Sequence, residues 1–204
     1  MTRKDTIMNY YISDMHFMHK NVTGEGKNFD NRPYATMKEM HEDMIDKWNK
    51  KVTNGDRVFI LGDISLHKCN EELISLVARL KGSKTLILGN HDNVSDARYR
   101  QLFTEIVPYK EITDNINGKN YNLVLSHYPI MMWNGQHRGV IHLYGHVHAQ
   151  HDEEFYQNAV AQLNEWYRER DAERYNPFYA YNVGCMHFGY EPVSLEEILN
   201  NKLK

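Results

Sequence analysis

The chain has 204 residues, enough for one domain that buries about 70% of the surface its unfolded form exposes. Charged residues make up 25% and hydrophobic residues 41%, and the net charge is −3 with no long basic block. This is an ordinary globular balance, and it argues against a protein built mainly to coat nucleic acid. No apolar run reaches the length of a membrane span, and Met1–Asn9 lacks the apolar core of a signal peptide. The two cysteines, Cys69 and Cys185, form no Cys-x-x-Cys pair. A cytoplasmic, reduced protein with no membrane partner is therefore expected, with neither cysteine a zinc ligand.

Ile7–Ser13 is a short apolar, aromatic run that reads as the first strand and ends in Asp14-Met15-His16. At the end of a buried strand, an Asp and a His two apart can face one cation; the plain alternative is a turn Asp beside a surface His. Phe17–Pro33 is rich in Gly, Asn and Asp and reads as a loop. It carries His19 and Arg32, which are either surface residues or overhang a site. Thr36 and Glu39 match a capping box, and Met37, Met40, Met44, Ile45 and Trp48 follow at helical spacing as a core face.

Arg57–Leu61 is the second strand and runs into Gly62-Asp63. Asn70 can cap a helix over Glu71–Leu80, with Gly82 at its C-terminal turn. His67, in the loop before it, reads as incidental. Lys84–Leu88 is the third strand and ends in Gly89-Asn90-His91-Asp92. Strands alternating with helices predict a parallel α/β arrangement, in which ligands bind beyond the carboxyl ends of the strands. Ser95 is expected to cap a short helix through Phe103. Glu105–Ile116 and Lys119–Ser126 flank Asn117-Gly118, a hairpin signal. Ser126-His127 ends the second arm. A polar loop with Gln136, His137 and Arg138 follows.

Val140–Tyr144 then leads into Gly145-His146-Val147-His148. Two histidines two apart would point about 160–200° apart on a helix, but share one side of a strand end. Gln150–Tyr175 reads as an amphipathic helical insertion, a lid or an oligomer contact. Tyr179–Gly184 is a further strand, and Ser194 and Glu197 cap a terminal helix. One domain over residues 1–204, with a helical insertion at about 150–175, is expected.

Five strand ends thus carry Asp14 and His16, Asp63, Asn90 and His91, His127, and His146 and His148. Each alone is weak evidence; surface accident does not explain all five. Leaving His91 aside, the donors exceed one tetrahedral zinc site and suit two ions sharing a bridge. Nitrogen and oxygen donors without thiolate suit Mn, Fe or Zn without choosing among them; manganese is taken as the working expectation.

The series Asp14-x-His16, Gly62-Asp63, Gly89-Asn90-His91-Asp92, Ser126-His127 and Gly145-His146-Val147-His148 resembles the calcineurin-like metallophosphoesterase family. The motifs span residues 14 to 148 in the family's order. The opening Asp-x-His-Phe, the following Arg32-Pro33 and the compact size look more like small bacterial and phage members than the large phosphoprotein phosphatases. The resemblance implies a four-layer α-β-β-α sandwich of two mixed sheets. It implies one divalent metal on Asp14, His16, Asp63 and His148, and another on Asp63, Asn90, His127 and His146, with Asp63 bridging.

His91 would then be catalytic, protonating the leaving group after a metal-bridging hydroxide attacks the ester. Asp92 either holds that imidazole or is a solvated turn residue. Arg32, Arg138 and His19 are candidate substrate-binding groups. Asn182 is a candidate acceptor behind a ligand histidine. The stretch Cys185-Met186-His187 departs from the small relatives, and His187 has no assigned role.

The resulting expectation is a phosphodiesterase or phosphatase acting on a small phosphate ester. The alternatives are a catalytically silent metal-binding or protein-interaction module, which predicts missing ligands or a replaced His91, and a nuclease taking only short oligonucleotides.

Overall fold

The computed structural model describes residues 7–66 and 69–201. His67 and residues 1–6 of the N-terminal stretch lie outside them. The chain runs β1 (Asn9–Ile12), α1 (Met37–Lys51), β2 (Arg57–Ile60), α2 (Glu71–Ala78), β3 (Ser83–Ile87), α3 (Ala97–Arg100) and β4 (Glu105–Val107). It continues through β5 (Tyr109–Ile116), β6 (Lys119–Ser126), β7 (Ile141–Tyr144), α4 (His151–Arg170), β8 (Ala180–Asn182), β9 (Val193–Ser194) and α5 (Leu195–Asn201).

Two mixed sheets result. The first has the order β4-β3-β2-β1-β9, parallel except for β9; the second has the order β5-β6-β7-β8, with only the β5–β6 pair antiparallel. Successive side chains on a strand point to opposite faces, and the sequence uses both. Tyr10, Ile12, Val58, Ile60 and Leu86 face the helical layer, where Met40, Met44, Ile45 and Trp48 of α1 cover them. Tyr11, Phe59, Leu61 and Ile87 face the other way, into a core shared with Leu123, Leu125, Ile141, Leu143 and Tyr181 of the second sheet. On the outer face of that sheet, Val124, Tyr144 and Ala180 are covered by Tyr156 and Val160 of α4. The architecture is the expected α-β-β-α sandwich of two mixed sheets flanked by helices.

Local signals explain most boundaries. Thr36 Oγ1 accepts from Glu39 N–H at 3.1 Å, and Glu39 accepts from Ala35 N–H at 2.8 Å. Asn70 Oδ1 caps Leu73 N–H at 2.9 Å, and Ser194 and Glu197 cap each other. Asn117 and Gly118 adopt φ of 52° and 88°, which closes the β5–β6 hairpin.

Four expectations need correction. Glu105–Ile116 is not one arm: Pro108 separates β4, in the first sheet, from β5, in the second. Proline has no N–H for a ladder, so the chain changes sheets there. Gly82 lies three residues past the α2 cap Arg79 and does not close the helix. The cap of α3 is Asp96, not Ser95, and that helix is a single turn. The helix within 150–175 is no appendage: α4 is the fourth layer, over β7 and β8. Among the described residues, no helix is long and apolar enough to cross a membrane.

Leu143 is fully buried between the sheets. Leu143→Ala should cost about 2–5 kcal/mol in urea unfolding, through lost burial and a residual cavity. Thr113→Ala, on the exposed face of β5, should stay within about 0.5 kcal/mol of the parent. Equal losses would mean that the inter-sheet core does not carry the stability.

Candidate metal centre

The parallel strands of both sheets end on one edge, and the ladder of the first sheet runs on past them. Asp14 N–H donates to Gly62 O at 3.1 Å, and His16 N–H donates to Asp63 O at 3.0 Å. From there the chain turns sharply. Asp14, His16, Asp63, His146 and His148 all have positive φ, between 51° and 73°. Such conformations strain non-glycine residues by about 1–3 kcal/mol each and persist only where the surroundings hold them. Here they aim five side chains at a common space. Two glycines permit the close approach: a Cβ on Gly89 would collide with the Asp63 carboxylate, and one on Gly145 with Ser13 and Asp14.

Two groups of donors form. Asp14, His16 and His148 offer ligand atoms within 4.8 Å of one another, and so do Asp63, His127 and His146. In the first group, the Nε2 atoms of His16 and His148 stand 3.1 Å apart, and His148 Nε2 is 3.8 Å from Asp14 Oδ1. In the second, His127 Nε2 is 3.5 Å from Asp63 Oδ2 and 3.0 Å from Asn90 Oδ1. Asp63 touches both groups, since its Oδ2 is also 4.0 Å from His16 Nε2.

His91 lies alongside. Its N–H donates to Asp63 Oδ1 at 3.0 Å, its Nε2 is 4.0 Å from Asp63 Oδ2, and its side chain is 43% exposed.

Electrostatics suit cation binding. Burial would raise the Asp63 pKa, but His127 and the His91 N–H hold it at about 2. Asp14 is fully buried, and that burial raises its pKa despite His148 and His127 nearby. Burial drives His16 well below the usual imidazole range, which leaves a neutral ring with a free lone pair. His127 Nδ1 is tied to Leu61 O at 2.8 Å, so its Nε2 is the nitrogen facing the centre. Two buried carboxylates and four imidazoles converging on one space, with no thiolate among them, make a donor set that fits divalent cations.

Other residues fall differently. His19 is half-buried beside the first group, its ring 5.7 Å from that of His16 and 5.7 Å from that of Phe29. Arg32 does not line the opening. Its guanidinium is buried beneath the turn, donating to Asp14 O and Met15 O, both at 2.7 Å, and to Asp30 at 2.8 Å. Arg138 is exposed on a 3-10 turn, Gln136–Arg138, with its charge near Glu111.

Asp92 neither holds the His91 ring nor hangs in solvent. Its carboxylate accepts from the N–H groups of Asp63 and Gly89, both at 2.9 Å, and of Ile64 at 3.0 Å. Burial raises its pKa against these donors. Asn182 serves the backbone of His148, not its ring: Nδ2 donates to His148 O at 2.8 Å, and His187 Nε2 lies 3.1 Å from the same oxygen. The acceptor beside the His148 ring is Asp30, which no sequence signal separates from an ordinary turn former.

Asp92→Ala would leave three backbone N–H groups without their acceptor, at about 1–3 kcal/mol each. Thermal unfolding should show a loss of at least about 3 kcal/mol, with weaker divalent-cation binding because Asp63 loses its anchor. A loss below about 1 kcal/mol would show that water replaces the carboxylate.

A model of the calcineurin-like phosphoesterase family matches residues 10–202. An uncharacterized protein of Methanocaldococcus jannaschii is 33% identical over 147 residues, which cover 72% of this chain and 72% of that protein. The gene 66 protein of Mycobacterium phage D29 is 29% identical over 163 residues, covering 69% of this chain and 78% of that one. A solved structure from Aquifex aeolicus, of a protein of unknown function, shares the fold with a TM-score of 0.64 and 24% identity, over 98% of this chain and 100% of that chain. With the motifs in order from Asp14 to His148 and the family model spanning both sheets, the chain belongs to the calcineurin-like phosphoesterase family.

Proposed function

We propose that the protein is a dinuclear-metal phosphoesterase acting on a small phosphodiester, with manganese as its working ion. The observation that carries this reading is the meeting of two donor groups at Asp63, with an exposed histidine beside them. Asp14, His16, Asp63 and His148 would hold one cation; Asp63, Asn90, His127 and His146 would hold the other. When bound, the cations supply Lewis acidity, which neutralises charge on the phosphoryl oxygens and activates water near neutral pH.

The protein's own groups do the rest. Asp63 presents two oxygens and one negative charge, the natural form for a bridge. The hydrogen bond from His91 N–H holds one of those oxygens in place. His91 would protonate the leaving-group oxygen, a role suited to an exposed imidazole at the rim. A monoester dianion would call for further cations around its terminal oxygens. Arg32, the residue expected to supply one, is spent beneath the site, and this favours the diester.

Initial rates on bis(p-nitrophenyl) phosphate and p-nitrophenyl phosphate, with manganese and with chelator, test the reading. Chelator-sensitive turnover with preference for the diester is expected. Preference for the monoester would overturn the substrate class, and turnover indifferent to chelator would overturn the metal mechanism. Asp63→Asn should remove activity and lower metal content together. His91→Ala should lose about 10²–10⁴-fold in kcat while keeping both metals. Metal loss in the second variant would mean that the division of roles is wrong.

A further inference from the structure

The loop between β1 and α1 folds back under the metal centre and buries a charged pair there. Asp30 and Arg32 have side chains 1% and 0% exposed, and Arg32 Nε donates to Asp30 Oδ2 at 2.8 Å. The other guanidinium nitrogens take the carbonyl oxygens of Asp14 and Met15, in the strained turn that aims Asp14 and His16. The second carboxylate oxygen, Asp30 Oδ1, is 3.0 Å from His148 Nδ1. The contact is a close ion pair that falls short of full hydrogen-bond geometry. No other acceptor among the described residues bonds to this nitrogen.

Two charges in such a place cost several kcal/mol of hydration unless each finds partners. They sit at the junction of the two arms that make the first donor group. Asp14 and His16 leave the first sheet; His148 leaves the second. Arg32 grips one arm by its backbone and Asp30 meets the other by its ring. The loop itself is fixed independently by Asn28, whose side chain bonds Arg32 N–H at 2.9 Å and Arg32 O at 3.0 Å.

We propose that Asp30, held by Arg32, is the positioning residue for His148: it accepts a hydrogen bond from Nδ1–H and turns Nε2 toward Asp14 and His16, setting the affinity of the first cation site. This rests on the two-cation reading above. A neutral imidazole carries one N–H, so an acceptor at Nδ1 leaves the lone pair on Nε2, the nitrogen that faces the centre. A carboxylate behind a ligand imidazole also raises its basicity, and losing one typically weakens metal binding about 10- to 100-fold.

Manganese titration of the full chain by calorimetry, with histidine ¹⁵N spectra of the metal-free protein, provides the test. The parent should bind two ions; fewer would sink the two-cation reading itself, whatever the variants do. Asp30→Asn should weaken one site by about 10- to 100-fold and leave the other unchanged. The His148 signals should shift away from the Nδ1-protonated tautomer. Lys27→Ala, at an exposed position of the same loop, keeps the carboxylate and its partners and should leave both sites within about threefold of the parent. The proposal is overturned if Asp30→Asn leaves both affinities and the tautomer unchanged. It is equally overturned if Lys27→Ala weakens the same site as much, since the loop and not the carboxylate would then be the cause. Should Asp30→Asn fail to fold, Asp30→Glu replaces it. That variant keeps the charge and lengthens the reach, and an intermediate loss at the same site is expected from it; an unchanged site and tautomer would count against the proposal.

Discussion

Everything at the strand ends depends on keeping one carboxylate ionised out of water. Asp63 is 2% exposed, and desolvation alone would favour its neutral form. What holds the charge is a set of groups from three separate segments: His127 after β6, the His91 N–H after β3, where neighbouring Asp92 fixes the Asp63 backbone, and His16 after β1. None of these contacts is local in sequence. The anion is affordable only when both sheets are folded and in register, which makes the centre a readout of the whole sandwich.

Strain has the same logic. Five donor residues sit at positive φ, conformations that a free chain would abandon. They are kept by parallel ladder bonds that continue past β1 and β2, and by glycines that let the strand ends approach. The energy that holds them comes from elsewhere, chiefly from the apolar layer between the sheets, which includes Tyr11, Leu61, Ile87, Leu125 and Leu143.

Much of this was legible in the sequence because it is periodic or local. The short apolar run of β1 reports a strand covered on both faces, and Thr36–Glu39, Asn70 and Ser194–Glu197 announce helix starts with short-range chemistry. The donors were legible because each follows a strand. What was not legible is long-range. An amphipathic helix such as α4 advertises an apolar face without naming what covers it, so it read as an insertion although it closes the fourth layer. The switch of sheets at Pro108 depends on which partner each half finds. Asp30, Arg32 and Asp92 read as turn residues or surface charges because residue type does not distinguish a solvated carboxylate from one that accepts three buried N–H groups. Arg32 was misplaced for the same reason: a basic residue in a loop reaches substrate or backbone with equal ease, and only burial decides.

The two donor groups divide the sheets in a way that links stability to binding. Asp14 and His16 come from the first sheet and His148 from the second; Asp63 comes from the first, and His127 and His146 from the second. Neither sheet alone assembles either group. A cation bound to either one therefore bridges the interface between the sheets and binds the folded sandwich in preference to the open chain. By linkage, it stabilises the fold by about 2.7 kcal/mol when its free concentration is about 100 times its Kd. The same geometry runs in reverse. A cavity between the sheets that lets them slide by a fraction of an ångström separates His16 from His148, and His127 from Asp63, before it unfolds anything. Metal affinity should then register damage to the inter-sheet core earlier than the unfolding transition does, because the donors lie at the far ends of the strands whose packing has been loosened.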